Sequence, residues 1–228
     1  MATVRQLDPG TRRYTRHIVF ELAHIIRERD IITYEHCRRV AVYASRLARE
    51  YGWSRRAAHD LALAGLVHDL GKNWMHNDIL FKESALSNDE RAEMERHPSI
   101  AANILHTYGA PKTLVQAVLH HHERYDGLGY PDHLAGEEIP LGARLLTVAD
   151  VFDAITAERP YKRAMESITA RDRIVAATGT HFDPAIVAAF VRLLDTHPNF
   201  LIPSRISPLP PRPAPHPVWM RHDHFDEE

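Results

Sequence analysis

Histidine and aspartate recur in this chain where helical spacing turns them toward apolar neighbours. Along residues 111–122, His122 falls one turn after Val118 and Leu119, and His121 one turn after Ala117 and Val118, so both share the apolar face. His120 continues the polar row Lys112, Thr113, Gln116 and is expected to face solvent. His36 heads the stripe Val40, Tyr43, Ala44, Leu47, and His68 with Asp69 closes the apolar segment LALAGLVHDLGK. Asp150 follows Leu146 by one turn in LLTVADVFDAI, with Asp153 on the same face. A lone inward imidazole is ordinarily satisfied by one hydrogen bond, but a carboxylate in apolar surroundings must neutralise, pair or bind a cation. If the chain brings His36, His68, Asp69, His97, His121, His122 and Asp150 to one point, five imidazoles and two carboxylates suit two divalent ions, with Asp69 placed to bridge. A nitrogen and oxygen set without sulfur points to manganese, iron or zinc-like ions and away from calcium. Two such ions, ~3.5–4 Å apart, activate a water and clamp an in-line displacement at phosphorus.

The elements that must position these residues read as helices. Apolar residues recur at three- and four-residue spacing through most of residues 14–195, with no sustained alternation, so the fold class expected is an all-α bundle of about eight helices. The first spans about Tyr14–Arg29; the second runs from Thr33, as N-cap, to Tyr51 before Gly52. Ser54 caps a third that reaches Leu70, and Ser87 with Glu90 makes a capping box for a short helix ending near Arg96. Pro98 opens a helix stopped by Gly109, Pro111 opens the one that carries the triple histidine, and Pro140 opens another reaching about Ala157. Residues 169–178 and 184–195, the latter capped by Asp183, complete a body over 14–197. Residues 1–13 form an N-terminal extension, and the proline-rich 198–228 is expected to be a flexible tail.

Composition narrows the function classes. The 228 residues, 44% hydrophobic, suit one domain with a real core, and a formal charge of −2 argues against binding a nucleic-acid polymer or a membrane surface through net charge. A single cysteine, Cys37, excludes a disulfide framework and an all-thiolate metal site, and no apolar run approaches the ~20 residues of a membrane span, so the expected location is the cytoplasm. With 17 histidines, accidental pairs are common, and position on a helix carries more weight than number.

Taken together, TYEHCRRVAVYA, LVHDLGK, HPSIAANIL, HHERYDGLGYPDHLAGEEIPLGARLLTVADVFDAITAERPYK and GTHFDP resemble, in order, the HD-GYP family of the HD metal-dependent phosphohydrolases, over residues 14–195. The resemblance implies a metal-dependent phosphodiesterase that opens cyclic diguanylate to linear diguanylate, and in some members on to the mononucleotide, by attack of a metal-activated hydroxide. It implies metal ligands at His36, His68, Asp69, His97, His121, His122 and Asp150, the set reached above, held around two divalent ions, iron or manganese foremost. Asp69, Lys72 and Asp153 would be the catalytic residues, Lys72 neutralising a phosphate oxygen and Asp153 assisting proton transfer. The loop Asp126, Gly127, Leu128, Gly129, Tyr130, Pro131 would shape the mouth, where a structural turn is an equally economical reading of the glycines. Among nearby cations, Lys72, Arg124, Arg159 and Lys162 are the candidate phosphate contacts, and Tyr130 can stack on guanine. Some members hold a third metal with a glutamate four residues before the first histidine; here that position is Ile32, which favours two ions, and Glu35 is expected to be solvated. Rival readings are a phosphohydrolase of another cyclic dinucleotide or of a nucleotide, a di-iron oxygenase on the same scaffold, and a non-catalytic cyclic diguanylate sensor or adaptor. Regulation is expected to come from a protein partner, from the short ends or from expression, and the oligomeric state is left open.

Overall fold

The computed structural model describes residues 9–82, 84–158 and 164–197. Ten α-helical segments appear among them: α1 (Pro9–Arg29), α2 (Ile31–Glu50), α3 (Arg55–Val67), α4 (Asn77–Leu80), α5 (Asn88–Met94), α6 (His97–Thr107), α7 (Lys112–Leu119), α8 (Leu141–Thr156), α9 (Ser167–Ala176) and α10 (Pro184–Thr196). The all-α expectation holds, and no strand occurs among the described residues beyond two isolated bridges, Asp126 with Ala135 and Thr178 with Phe182. The first helix begins inside the expected extension, at Pro9; α4, a single turn, was not foreseen. The tail at 198–228 lies outside the described residues.

Helix boundaries follow local chemistry, with two corrections. Ser54 accepts from Ala57 N, the Ser87–Glu90 capping box is formed, and Asp183 accepts from Ala185 N and Ile186 N. The second helix, however, is capped by Asp30 and not by Thr33: Asp30 accepts from Ile32 N at 2.8 Å, and the Thr33 hydroxyl is spent on Asp30 Oδ2 at 2.6 Å. The third stops at Val67, and residues Leu70–Trp74 tighten into a 3-10 turn.

Helix α2 is central, packed against α1, α3, α8 and α10, while α6 and α7 pair beside the 3-10 turn. Phe152 of α8 meets Tyr43 of α2 and Phe190 of α10 edge-on, with centroids 5.3 and 5.1 Å apart, inside a core that includes Ile18, Leu22, Val40, Leu47, Ala64 and Leu145. Two close approaches set the positions of the polar residues. A Cβ on Gly65 would lie 2.9 Å from Ala41 Cα, so α2 and α3 touch backbone to backbone there. One on Gly71 would lie 2.0 Å from the His97 carbonyl oxygen, which pins the 3-10 turn to the start of α6. No helix of the described residues is long and apolar enough to cross a membrane.

Candidate metal centre

Three of the expected ligands sit at or just beyond a helix C-terminus, and each serves there as a cap. The last four carbonyls of a helix lack intrahelical donors. His68 Nδ1 lies 2.8 Å from Gly65 O at the end of α3, His97 Nδ1 2.8 Å from Met94 O at the end of α5, and His121 Nδ1 2.6 Å from Val118 O at the end of α7. A carbonyl only accepts, so each Nδ1 carries the proton and each Nε2 presents a lone pair. Those three Nε2 atoms and Asp69 Oδ1 are buried and have no hydrogen-bond partner. Buried lone pairs aimed at one another without a donor are costly, and a cation among them is the group that satisfies them all.

The distances join them into one cluster. His36 Nε2 lies 3.0 Å from Asp150 Oδ1 and 3.7 Å from Asp69 Oδ2, and His68 Nε2 lies 3.6 and 3.7 Å from the same two carboxylates. Asp69 turns its other oxygen to His97 Nε2 at 3.3 Å. Three sets, His36–His68–Asp69, His68–His121–Asp150 and His97–His121–His122, each hold their candidate ligand atoms within 4.8 Å of one another. Asp69 therefore straddles two groups of imidazoles, as a bridging carboxylate must. All seven residues singled out from sequence converge here, and the donor set of imidazoles and carboxylates suits divalent transition ions.

The electrostatics divide the cluster in two. Burial alone would raise the Asp69 carboxyl, but Lys72, 2.8 Å from Oδ2, and His68 hold it well below the usual range. Burial likewise opposes the charge on Asp150, and the neighbouring His36 and His68 pull it well down. On the other side, burial and the surrounding positive groups keep His97 and His121 below an ordinary histidine and push His122 to about 3. The His97, His121 and His122 side thus offers neutral imidazoles, and the carboxylate charge gathers on the His36 and His68 side.

Several residues depart from expectation. His120 is buried, not solvated, because α7 ends at Leu119 and the chain leaves helical geometry at His120 (φ −107, ψ 15). Its ring turns in toward Gln116, with Nε2 3.3 Å from Oε1. Glu35 is also buried, its carboxylate closed by Arg38 at 3.1 Å, while Ile32 is half-exposed. Asp153 does not face the ion positions. Its Oδ2 accepts from His36 Nδ1 at 2.7 Å, and both oxygens accept from Arg39, at 2.7 and 3.0 Å. With its lone pairs so engaged, it orients His36 and is not placed for the proton transfer expected of it. Arg39 escaped the sequence reading; its signal was the three-residue spacing from His36 on one helical face.

The loop after α7 is a folded unit. Asp126 N and Tyr125 N donate to Thr180 O and His181 O, so GTHFDP anchors the loop start. The Arg124 side chain is clamped to Asp126 at 3.0 and 2.5 Å, which holds the Asp126 carboxyl down at about 2 and commits Arg124 to the loop. Gly127 takes φ +79, and a Cβ on Gly129 would lie 2.3 Å from Arg124 N, so both glycines answer to the turn itself. Tyr130 stacks on His122, centroids 4.9 Å apart at 26°, and its N–H donates to His122 O, while buried Glu123 accepts from Asp132 N at 2.7 Å. Tyr130 therefore supports a ligand ring. Arg159 and Lys162 lie outside the described residues.

Known proteins resemble this chain in sequence and in fold. A family model described as HD domain matches residues 21–186. Over 181 residues, 78% of this chain is 39% identical to the cyclic di-GMP phosphodiesterase response regulator RpfG of Xanthomonas campestris pv. campestris, covering 47% of that protein. Over 180 residues, 77% of the chain is 36% identical to the 3'3'-cGAMP-specific phosphodiesterase 2 of Vibrio cholerae, covering 34% of it. The chain thus spans less than half the length of these relatives. The crystal structure of a V. cholerae cyclic GMP-AMP specific phosphodiesterase, V-cGAP3, shares the fold with a TM-score of 0.60 at 21% identity, over 82% of this chain and 49% of that one.

Proposed function

We propose that this chain, which belongs to the HD-domain family in its HD-GYP branch, is a metal-dependent phosphodiesterase that hydrolyses a cyclic dinucleotide, with cyclic diguanylate as first substrate and linear diguanylate as first product. The observation that carries the reading is Asp69, whose two oxygens face separate groups of imidazole nitrogens, several of them buried without partners. That arrangement suits two divalent ions, iron or manganese, held by His36, His68, Asp69 and Asp150 on one side and by Asp69, His97, His121 and His122 on the other. Ions so held would supply Lewis acidity and lower the pKa of water toward neutral pH.

The chain's own residues do the rest. Lys72 reaches the edge of the cluster with its side chain 25% exposed, where its ammonium donates to a phosphoryl oxygen while still paired with Asp69. Asp153 fixes the His36 ring. The loop Asp126–Pro131 walls the mouth and holds His122 through Tyr130, while Arg159 and Lys162 are our candidates for the distal phosphate. Hydrolysis adds the oxygen of water to phosphorus, breaks the bond to the 3′ oxygen and returns a proton to that oxygen. The linear product keeps one 3′–5′ phosphodiester, and a second cleavage of the same kind there would give two mononucleotides.

A second substrate, cyclic GMP-AMP, is favoured by the relative named for it. A cytoplasmic location is the compartment in which either messenger would be met. Incubating the protein with each cyclic dinucleotide and manganese or ferrous ion, followed by chromatography, distinguishes them. Asp69→Ala should abolish both ion loading and turnover. Tight binding with no turnover under either metal would instead make the chain a sensor.

A further inference from the structure

Three ligand histidines rest their Nδ1 atoms on backbone carbonyls, and His36 alone rests on a carboxylate that is itself held by a guanidinium. We propose that Arg39 is a positioning residue that acts through Asp153 on His36 and makes the ion position at His36 the tighter of the two. The inference rests on the metal-dependent reading above.

The Arg39 Nε and Nη2 atoms grip the two Asp153 oxygens at 2.7 and 3.0 Å, a fork that fixes the plane of the carboxylate. Asp153 is 1% exposed, and Arg39 supplies the countercharge that allows an ionised carboxylate to sit there. Held in this way, Asp153 accepts the hydrogen bond of His36 Nδ1 at 2.7 Å, which sets the tautomer, turns Nε2 toward Asp150 and Asp69, and makes the imidazole a stronger metal ligand. A backbone carbonyl sets a tautomer in the same way but brings no negative charge. The His97, His121 and His122 position has no such support among its described contacts, so the two positions differ in what stands behind their ligands, although both use imidazole and Asp69.

Manganese titrated calorimetrically into the chelator-treated, dialysed full chain should bind in two steps. Arg39→Met should weaken the first step about 10- to 100-fold and leave the second unchanged. Asp153→Asn should do the same, and the double variant should be no worse than either single one, because both act on His36. Arg144→Met is the control, since Arg144 makes a comparable buried pair with Asp183 away from the cluster; it should lower stability and spare both steps. If Arg39→Met fails to fold, Arg39→Lys keeps the charge without the fork and should still weaken the first step selectively. Equal weakening of both steps, an unchanged first step, or the same loss in Arg144→Met would overturn the proposal. Wild-type protein that binds no ion at all would overturn the metal-dependent reading itself, a result separate from any of these.

Discussion

Gly71 offers the sharpest test of how the backbone builds the centre. It lies in the 3-10 turn between Asp69 and Lys72, where an added Cβ would stand 2.0 Å from His97 O, 2.8 Å from His97 C and 2.9 Å from His97 Cα. These are backbone atoms at the start of α6, so no rotamer change relieves the clash. Ordinary contact begins near 3.4 Å, and the two segments must therefore part by more than 1 Å. Such a movement carries Asp69 away from His97, whose Nε2 is 3.3 Å from Oδ1, and so opens the one link between the two ion positions that a single carboxylate makes. Overpacking of this kind costs roughly 1–3 kcal/mol, and a 1 Å misplacement in a reacting constellation costs about 100-fold in rate. Gly71→Ala should keep its helical circular dichroism and lose about 1–3 kcal/mol in urea unfolding. Metal content by elemental analysis should fall from two equivalents toward one, with turnover down about 100-fold. Gly52→Ala is the matched control: Gly52 has φ +106 with nothing within 4 Å, so alanine there strains only the backbone, far from the cluster. That variant should lose about 1 kcal/mol and keep its ions and its rate. A Gly71→Ala protein with two equivalents and full turnover would refute the argument that this close approach sets the centre.

Two other predictions come from residues the loop and α7 bury. His120→Ala should lower stability by about 1–3 kcal/mol in urea, because the ring is buried against Gln116, yet leave the metal content intact; an unchanged unfolding midpoint would mean that the ring is solvated after all. His122 gives a pH dependence with a defined sign. Burial first, and then the neighbouring His97, which resists a second proton beside it, hold it neutral down to about 3 in the fold, whereas in the unfolded chain it takes a proton near 6.5. The unfolded state therefore binds more protons below about 6.5, and the native state loses stability as pH falls from there toward about 3, by at most about 1.4 kcal/mol per unit. In chelator-treated protein, His122→Gln should remove that contribution, so the wild type should lose stability relative to the variant as the solution is acidified. A wild type that gains on the variant over that range would reverse the assignment.

The residues of the centre were legible from sequence for a reason only partly like the one used to find them. A helical face pointed His121 and His122 inward and an apolar segment enclosed His68, but the helices end before these residues; capping aims His68 and His121, and Tyr130 supports His122. His68 keeps near-helical dihedrals as the C-cap of α3 (φ −59, ψ −34), so projecting the helix a little too far still put the ring on the correct side. At His120 the backbone turns (φ −107, ψ 15), and the same projection placed a buried ring in solvent. Periodicity is informative only while the chain stays helical, and the error appears at the first residue where it does not. Glu35 is hidden for a different reason, since a charged residue buried with its partner has the same local pattern as one on the surface; Arg39 shares a helical face with His36, but its partner lies 114 positions away. Yet the partner was visible. Asp153 had been marked as an inward carboxylate in need of a cation, and the structure supplies one from α2 in place of the metal edge. An inward carboxylate flagged by sequence therefore states a requirement for positive charge without saying which group meets it, and in this centre Asp69 and Asp153 meet it differently, one facing the ion positions and the other standing behind a ligand.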